Sequence, residues 1–213
     1  MTRIVASSDF HGKLPTNIPE CDLFLIAGDI CPSGEPIEQA AWLNTTFRNW
    51  LETVPAKKVV AIAGNHDQIF ERAPELVPIN LRWHYLQDSF ITINGLTIYG
   101  TPWQLPFWGA FNLSDGRLTE IYKKIPNNTD IIISHGPPFG IHDEVPGKNS
   151  PIHTGSNSLR TRVLQIKPKL CIFGHIHQAY GLSTQDGITF ANVSLVNDDL
   201  KIAHNPMLFD LNS

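Results

Sequence analysis

The chain has 213 residues and a mass of 23.8 kDa, with 42% hydrophobic and 17% charged residues, a size and composition that suit one compact α/β domain (residues 1–213) and exclude a disordered chain. A formal net charge of -4 supplies no overall basic field for wrapping nucleic acid. No apolar run approaches the roughly 18 residues that a membrane span needs.

Ile4 to Ser7 reads as a first strand that breaks at Asp9-Phe10-His11-Gly12, and Leu23 to Ala27 as a second that ends at Gly28-Asp29. Such continuous apolar runs suit parallel strands buried on both faces. Pro36 opens a helix to about Leu51, and the strand-helix alternation is a βαβ signal. The third strand, Val59 to Ala63, ends at Gly64-Asn65-His66-Asp67. Phe90 to Ile93 and Leu96 to Tyr99 flank Asn94-Gly95, a hairpin signal, so parallel and antiparallel pairing are mixed. An aromatic segment from Thr101 to Asn112 precedes a short amphipathic helix marked by Leu118, Ile121 and Ile125.

Ile131 to Ile133 is the fourth apolar run and ends at Ser134-His135. Phe139 to Gly155 shows no periodicity and reads as a long loop. Ser156 caps a helix through Ile166, with Arg160 and Arg162 on its outer face. The strand at Leu170 to Phe173 stops at Gly174-His175-Ile176-His177, where an extended backbone would point both imidazoles the same way. Strands near Leu182 to Thr184 and Ile188 to Val193, turning at Asp186-Gly187, are expected to close the chain. Cys21, Cys31 and Cys171 lack CxxC spacing, and the chain enters Ile4 and Val5 without a secretory-type segment; both fit a soluble, cytoplasmic protein.

Five apolar runs thus end in metal-binding residue types: Asp9 and His11, Asp29, Asn65 and His66, His135, and His175 with His177. In open α/β sheets ligands sit beyond the carboxyl ends of the strands, so these clusters should converge on one site. Seven donors (Asp9, His11, Asp29, Asn65, His135, His175 and His177) exceed what one ion with an open position accepts. Two ions sharing a carboxylate fit better, and the mixed histidine and carboxylate set suits Mn, Fe, Zn or Co.

The ordered motifs D-x-H, G-D, G-N-H-D, S-H-G and G-H-I-H resemble the calcineurin-like metallophosphoesterase superfamily. The segments Gly100 to Asn112 and Leu159 to Leu170 further resemble its brain 239 branch, the metallophosphoesterase-domain-containing phosphodiesterases. The resemblance implies two mixed sheets packed as a sandwich and flanked by helices. It implies that Asp9, His11 and His177 hold one ion, that Asn65, His135 and His175 hold the second, and that Asp29 bridges. Some members of the branch have glycine where His175 stands, which goes with weak catalysis and nucleotide monophosphate binding; the histidine here implies a working centre.

Two ions about 3.5–4 Å apart would activate a bridging hydroxide for in-line attack at phosphorus. His66 is then expected to protonate the leaving group, and Asp67 to orient His66, pair with an arginine or serve as a helix-start carboxylate. Asn65, His66 and His175 are also expected to touch substrate. Trp103 could stack a nucleobase or simply pack the loop, and Asn112 could hydrogen-bond the ligand. His142 and His153 are either solvated or part of a lid. The expected activity is hydrolysis of small phosphodiesters, cyclic nucleotides or similar. A nuclease on polynucleotides, or a nucleotide-binding regulatory module with vestigial catalysis, are the alternatives.

Overall fold

The computed structural model describes residues 1–212. One sheet sets β1 (Thr2–Ser7), β2 (Cys21–Ala27), β3 (Ala56–Ile62) and β4 (His84–Tyr85) side by side in parallel. The other contains β5 (Ser89–Ile93), β6 (Leu96–Thr101), β7 (Ile131–Ser134), β10 (Leu170–Phe173), β11 (Gly181–Gln185) and β12 (Ile188–Asn192) in the order β11-β12-β10-β7-β6-β5. Its four inner strands are parallel, and β5 and β11 are antiparallel edges. Asn94 and Gly95, with φ of 52° and 77°, make the β5–β6 turn that their types favour.

Strand alternation sorts the side chains into three layers. Ile4, Leu23, Leu25, Val60 and Ile62 of the first sheet meet Ile98, Ile131, Ile133, Leu170 and Ile172 of the second in a central core. The intervening residues face outward: Val5, Phe24 and Ile26 pack under Leu43, Phe47 and Leu51, while Cys171, Phe173 and Phe190 pack under Leu118, Tyr122, Leu159 and Val163. The helices that cover these outer faces are α1 (Pro36–Trp42) and α2 (Arg48–Thr53) on one side, and α4 (Asp115–Tyr122) and α5 (Asn157–Ile166) on the other; the four-residue α3 (Ile69–Arg72) follows β3. This is the expected sandwich of two mixed sheets flanked by helices.

Several local expectations need correction. The helix from Pro36 is interrupted by a π turn at Leu43–Phe47, which Thr45 helps to accommodate by bonding its hydroxyl back to Ala41 O. The segment 139–155 is not structureless: β8 (Glu144–Val145) and β9 (Ile152–His153) pair as a small ribbon. The β11–β12 pair does not close the chain, because β13 (Met207–Leu211) adds to the free edge of β1 in antiparallel register. Arg160 and Arg162 are not free outer charges: they donate to Phe139 O and Ile125 O respectively. Ser156 does cap α5, accepting the Leu159 N–H at 3.1 Å.

Candidate metal centre and substrate cleft

The parallel strands of both sheets deliver their carboxyl ends to one rim. Ser8 stitches the sheets together there, donating its N–H to Val193 O and accepting the Leu195 N–H. Asp9, His11, Asp29 and His175 all have positive φ, between 45° and 69°. Non-glycine residues in that region cost about 1–3 kcal/mol each. The central core offsets this, since each fully buried leucine, isoleucine or valine contributes about 1.5–3 kcal/mol. His175 is therefore not part of an extended run, and His177 begins a 3₁₀ turn, so the two rings reach the site by a bend rather than by strand alternation.

The geometry brings most of the expected donors together. Atoms of Asp9, His11 and His177 form one group, Asp9, Asp29 and His135 a second, and His11, Asp29 and His66 a third, each within 4.8 Å. Asp29 Oδ2 lies 3.6 Å from His11 Nε2 and 3.4 Å from His135 Nε2, so it faces both sides of the centre. Asn65 Oδ1 is 3.0 Å from His135 Nε2. His175 stands in none of the three groups: its ring packs edge-on to His135, centroids 5.1 Å apart, while its N–H donates to both oxygens of Asp9 at 3.1 Å.

Close approach explains the motif glycines. A Cβ on Gly64 would collide with Asp29 and His135, and one on Gly174 with Asp9 and Ser8.

Electrostatics favours cations at this spot. Asp9 and Asp29 are 0% and 1% exposed, and among the described residues no lysine or arginine pairs with either. Burial alone would raise both carboxyls. The hydrogen bond and charge of His177 nevertheless hold Asp9 well below the usual range, and His135 does the same for Asp29. Burial lowers His135 too, but Asp29 pushes it up to about 9. His175 is pulled down to about 3 by burial and by His135, which leaves its lone pair available. His11 Nδ1 is buried without a partner. Anionic oxygens and imidazole nitrogens crowded together, such as His11 Nε2 and His177 Nε2 at 3.3 Å, are the donor set that divalent metal ions satisfy.

The tautomer of His135 is fixed by its neighbours. Nδ1 lies 2.9 Å from Ala27 O, which can only accept, so Nδ1 carries the proton and Nε2 faces the centre.

Asp67 lies behind the centre. Its carboxylate accepts the N–H groups of Ile30, Cys31 and Gly64 at 3.1, 2.7 and 2.8 Å, tying the loop after β2 to the loop after β3. Among the described residues it pairs with no arginine, and the His66 backbone N–H donates instead to Asp29 Oδ1 at 2.7 Å.

A cleft of about 480 Å³ opens over the donors, lined by Asp29, Asn65, His66, His175 and His177 on its floor. Leu105, Pro106 and Phe107 also line it, as do Val145 of the ribbon and Thr154 just after it. Trp103 and Asn112, expected at the substrate, are elsewhere. The Trp103 indole N–H donates to Asp88 at 2.7 Å and its ring packs edge-on to Phe111, while the Asn112 amide is spent on Phe107 N and Gly109 O. The aromatic segment reaches the site through Phe107, which is 67% exposed and edge-on to His175, and through Trp108 beside His66. His142 and His153 do not line this cleft: the first meets Ser183, the second Asp143.

Residues 2–179 match the calcineurin-like phosphoesterase family, a span that includes every expected donor. Human "Metallophosphoesterase domain-containing protein 1" is 34% identical over 237 residues, covering 99% of this chain and 71% of that protein. The Caenorhabditis elegans "UPF0046 protein C25E10.12" is 31% identical, covering 98% of this chain and 80% of its own length. The solved structure of TT1561 of Thermus thermophilus shares the fold, with a TM-score of 0.56 at 14% identity over 90% of this chain and 88% of that one. The chain belongs to the calcineurin-like phosphoesterase family of metal-dependent hydrolases.

Proposed function

We propose that this chain is a dinuclear-metal phosphodiesterase acting on small phosphodiesters, cyclic nucleotides or similar, and that residues 1–213 form one metallophosphoesterase domain. Asp9, His11 and His177 hold one ion and Asn65, His135 and His175 the other, with Asp29 shared; seven donors are more than one ion takes. Manganese is the probe of choice among Mn, Fe, Zn and Co. Three free, buried cysteines fit a reducing compartment such as the cytoplasm.

The observation that carries the diester reading is the lining of the cleft. Among the described residues it has no lysine or arginine, and its walls are largely apolar. Beyond the charge that bound ions would offset, these walls offer no cation for the further phosphates of a polynucleotide, and they offer apolar surface for the second ester group that a diester has and a monoester lacks. The presence of His175 in the cleft speaks against vestigial catalysis.

Bound divalent ions supply the Lewis acidity that activates water and offsets charge at phosphorus. His66, beside Asp29 at the edge of the donor set, gives a proton to the departing alcohol oxygen. Asp67 fixes the two loops that carry Asp29 and His66. Phe107 and the ribbon shield the reacting group from bulk water.

The test is a panel on the manganese-loaded chain: bis(p-nitrophenyl) phosphate, 2′,3′- and 3′,5′-cyclic nucleotides, p-nitrophenyl phosphate, nucleoside monophosphates and single-stranded DNA. Expected is a kcat/KM for the best small diester at least about tenfold above every monoester and above DNA. Preference for a monoester or for DNA overturns the reading.

A further inference from the structure

His177 presents Nε2 to the centre, 3.5 Å from Asp9 Oδ1, which turns Nδ1 away from it. The group that Nδ1 faces is the Asp198 carboxylate, with Oδ1 at 4.0 Å. A ligating imidazole is oriented by whatever its second nitrogen donates to, as the Ala27 carbonyl does for His135.

Asp198 is held by a tight turn. Asn197 N–H donates to Lys201 O, Leu200 N–H to Asn197 O and Lys201 N–H to the Asn197 side chain, at 2.8–3.0 Å, and Leu200 has a φ of 55°. Asp199 is turned the other way, onto Lys201 at 3.4 Å. The turn therefore gives Asp198 to the cleft, which it lines, and keeps Asp199 off it. The Asp198 side chain is 59% exposed, which leaves its rotamer free to change while the turn holds its backbone, with Oδ1 4.0 Å from Nδ1. The turn also lies beyond residue 179, outside the stretch that matches the family.

We propose that Asp198 is the positioning residue of His177: its carboxylate accepts the Nδ1–H and fixes the ring so that Nε2 points at the metal. This inference rests on the metal assignment proposed above. It adds a contribution from a segment that the family match does not include.

The test is a manganese titration of the full chain, followed by the electron paramagnetic resonance signal of the free ion. Asp198→Asn should weaken uptake about tenfold or more, as loss of an outer partner of a ligating histidine does, with the thermal midpoint of the metal-free protein unchanged. Asp199→Asn removes the same charge one residue away and should leave affinity within about twofold. Asp198→Glu should keep it within about threefold. Unchanged affinity in Asp198→Asn, or an equal loss in Asp199→Asn, overturns the proposal. If the unsubstituted chain takes up no manganese, the metal assignment itself fails and this inference falls with it.

Discussion

Asp9, Asp29, Asn65, His135 and His175 each follow a strand by one to three residues, whereas Leu105, Phe107, Val145 and Thr154, which line the cleft, sit on segments shaped by contacts between loops. The donors inherit their places from the parallel sheets and their strained turns. The walls inherit theirs from side chains such as Asn112, which spends its amide on Phe107 N and Gly109 O, and Asp143, which binds Gly140 N, Gly155 N and His153. One half of the site is therefore rigid by topology; the other is held by local polar bonds.

Substitutions in the metal-binding half should cost the most. Asp29→Ala should abolish metal uptake and lower turnover beyond the about 10²–10⁴-fold expected for His66→Ala, whose metal content should stay intact, with metal analysis and kinetics run in parallel. Metal loss in His66→Ala would move that residue into the donor set.

Across the cleft, Phe107→Ala should raise KM by about tenfold, within the about 1–3 kcal/mol of an aromatic contact, at constant thermal midpoint. Trp103→Ala should do the opposite, costing about 3 kcal/mol of stability, or roughly 6–12 °C, with KM unchanged. A KM effect confined to Trp103 would contradict the assignment of Phe107 to the wall.

The smallest expected effect concerns protons. His135 is pushed up to about 9 in the metal-free chain, so its protonated form stabilises that fold fully below the ordinary value of 6.5. This contribution is lost as pH rises through about 9. A metal ion needs the same Nε2 free, so uptake at pH 7.5 should expel about one proton and affinity should climb with pH between 6.5 and 9. Calorimetry in two buffers of different ionisation heat measures it; identical heats would show that His135 is already neutral.

The difference between the two regions also explains what the amino-acid order discloses. A donor at the end of an apolar run is readable because strand direction alone decides where it goes, and the buried strands are readable as continuous apolar runs. That Trp103 stays out of the cleft while Phe107 lines it owes to Asp88, thirteen residues or more away along the chain, which captures the Trp103 indole and the Thr101 hydroxyl. The bend at His175 is hidden because nothing in Gly-His-Ile-His specifies a positive φ at the histidine. Strand β13 escapes notice for a related reason: its pairing with β1 joins residues 2–6 to residues 207–211, and half-exposed Leu208 carries a weak signal.

That last pairing has a consequence for how the molecule is made. β1 leads into Asp9 and His11, yet its outer edge finds a neighbour only when residues 207–211 are available. On the ribosome, that edge stands open while nearly all the rest is synthesised, a template for unwanted association with other nascent strands. Chaperone protection of that edge belongs to the interval before β13 emerges.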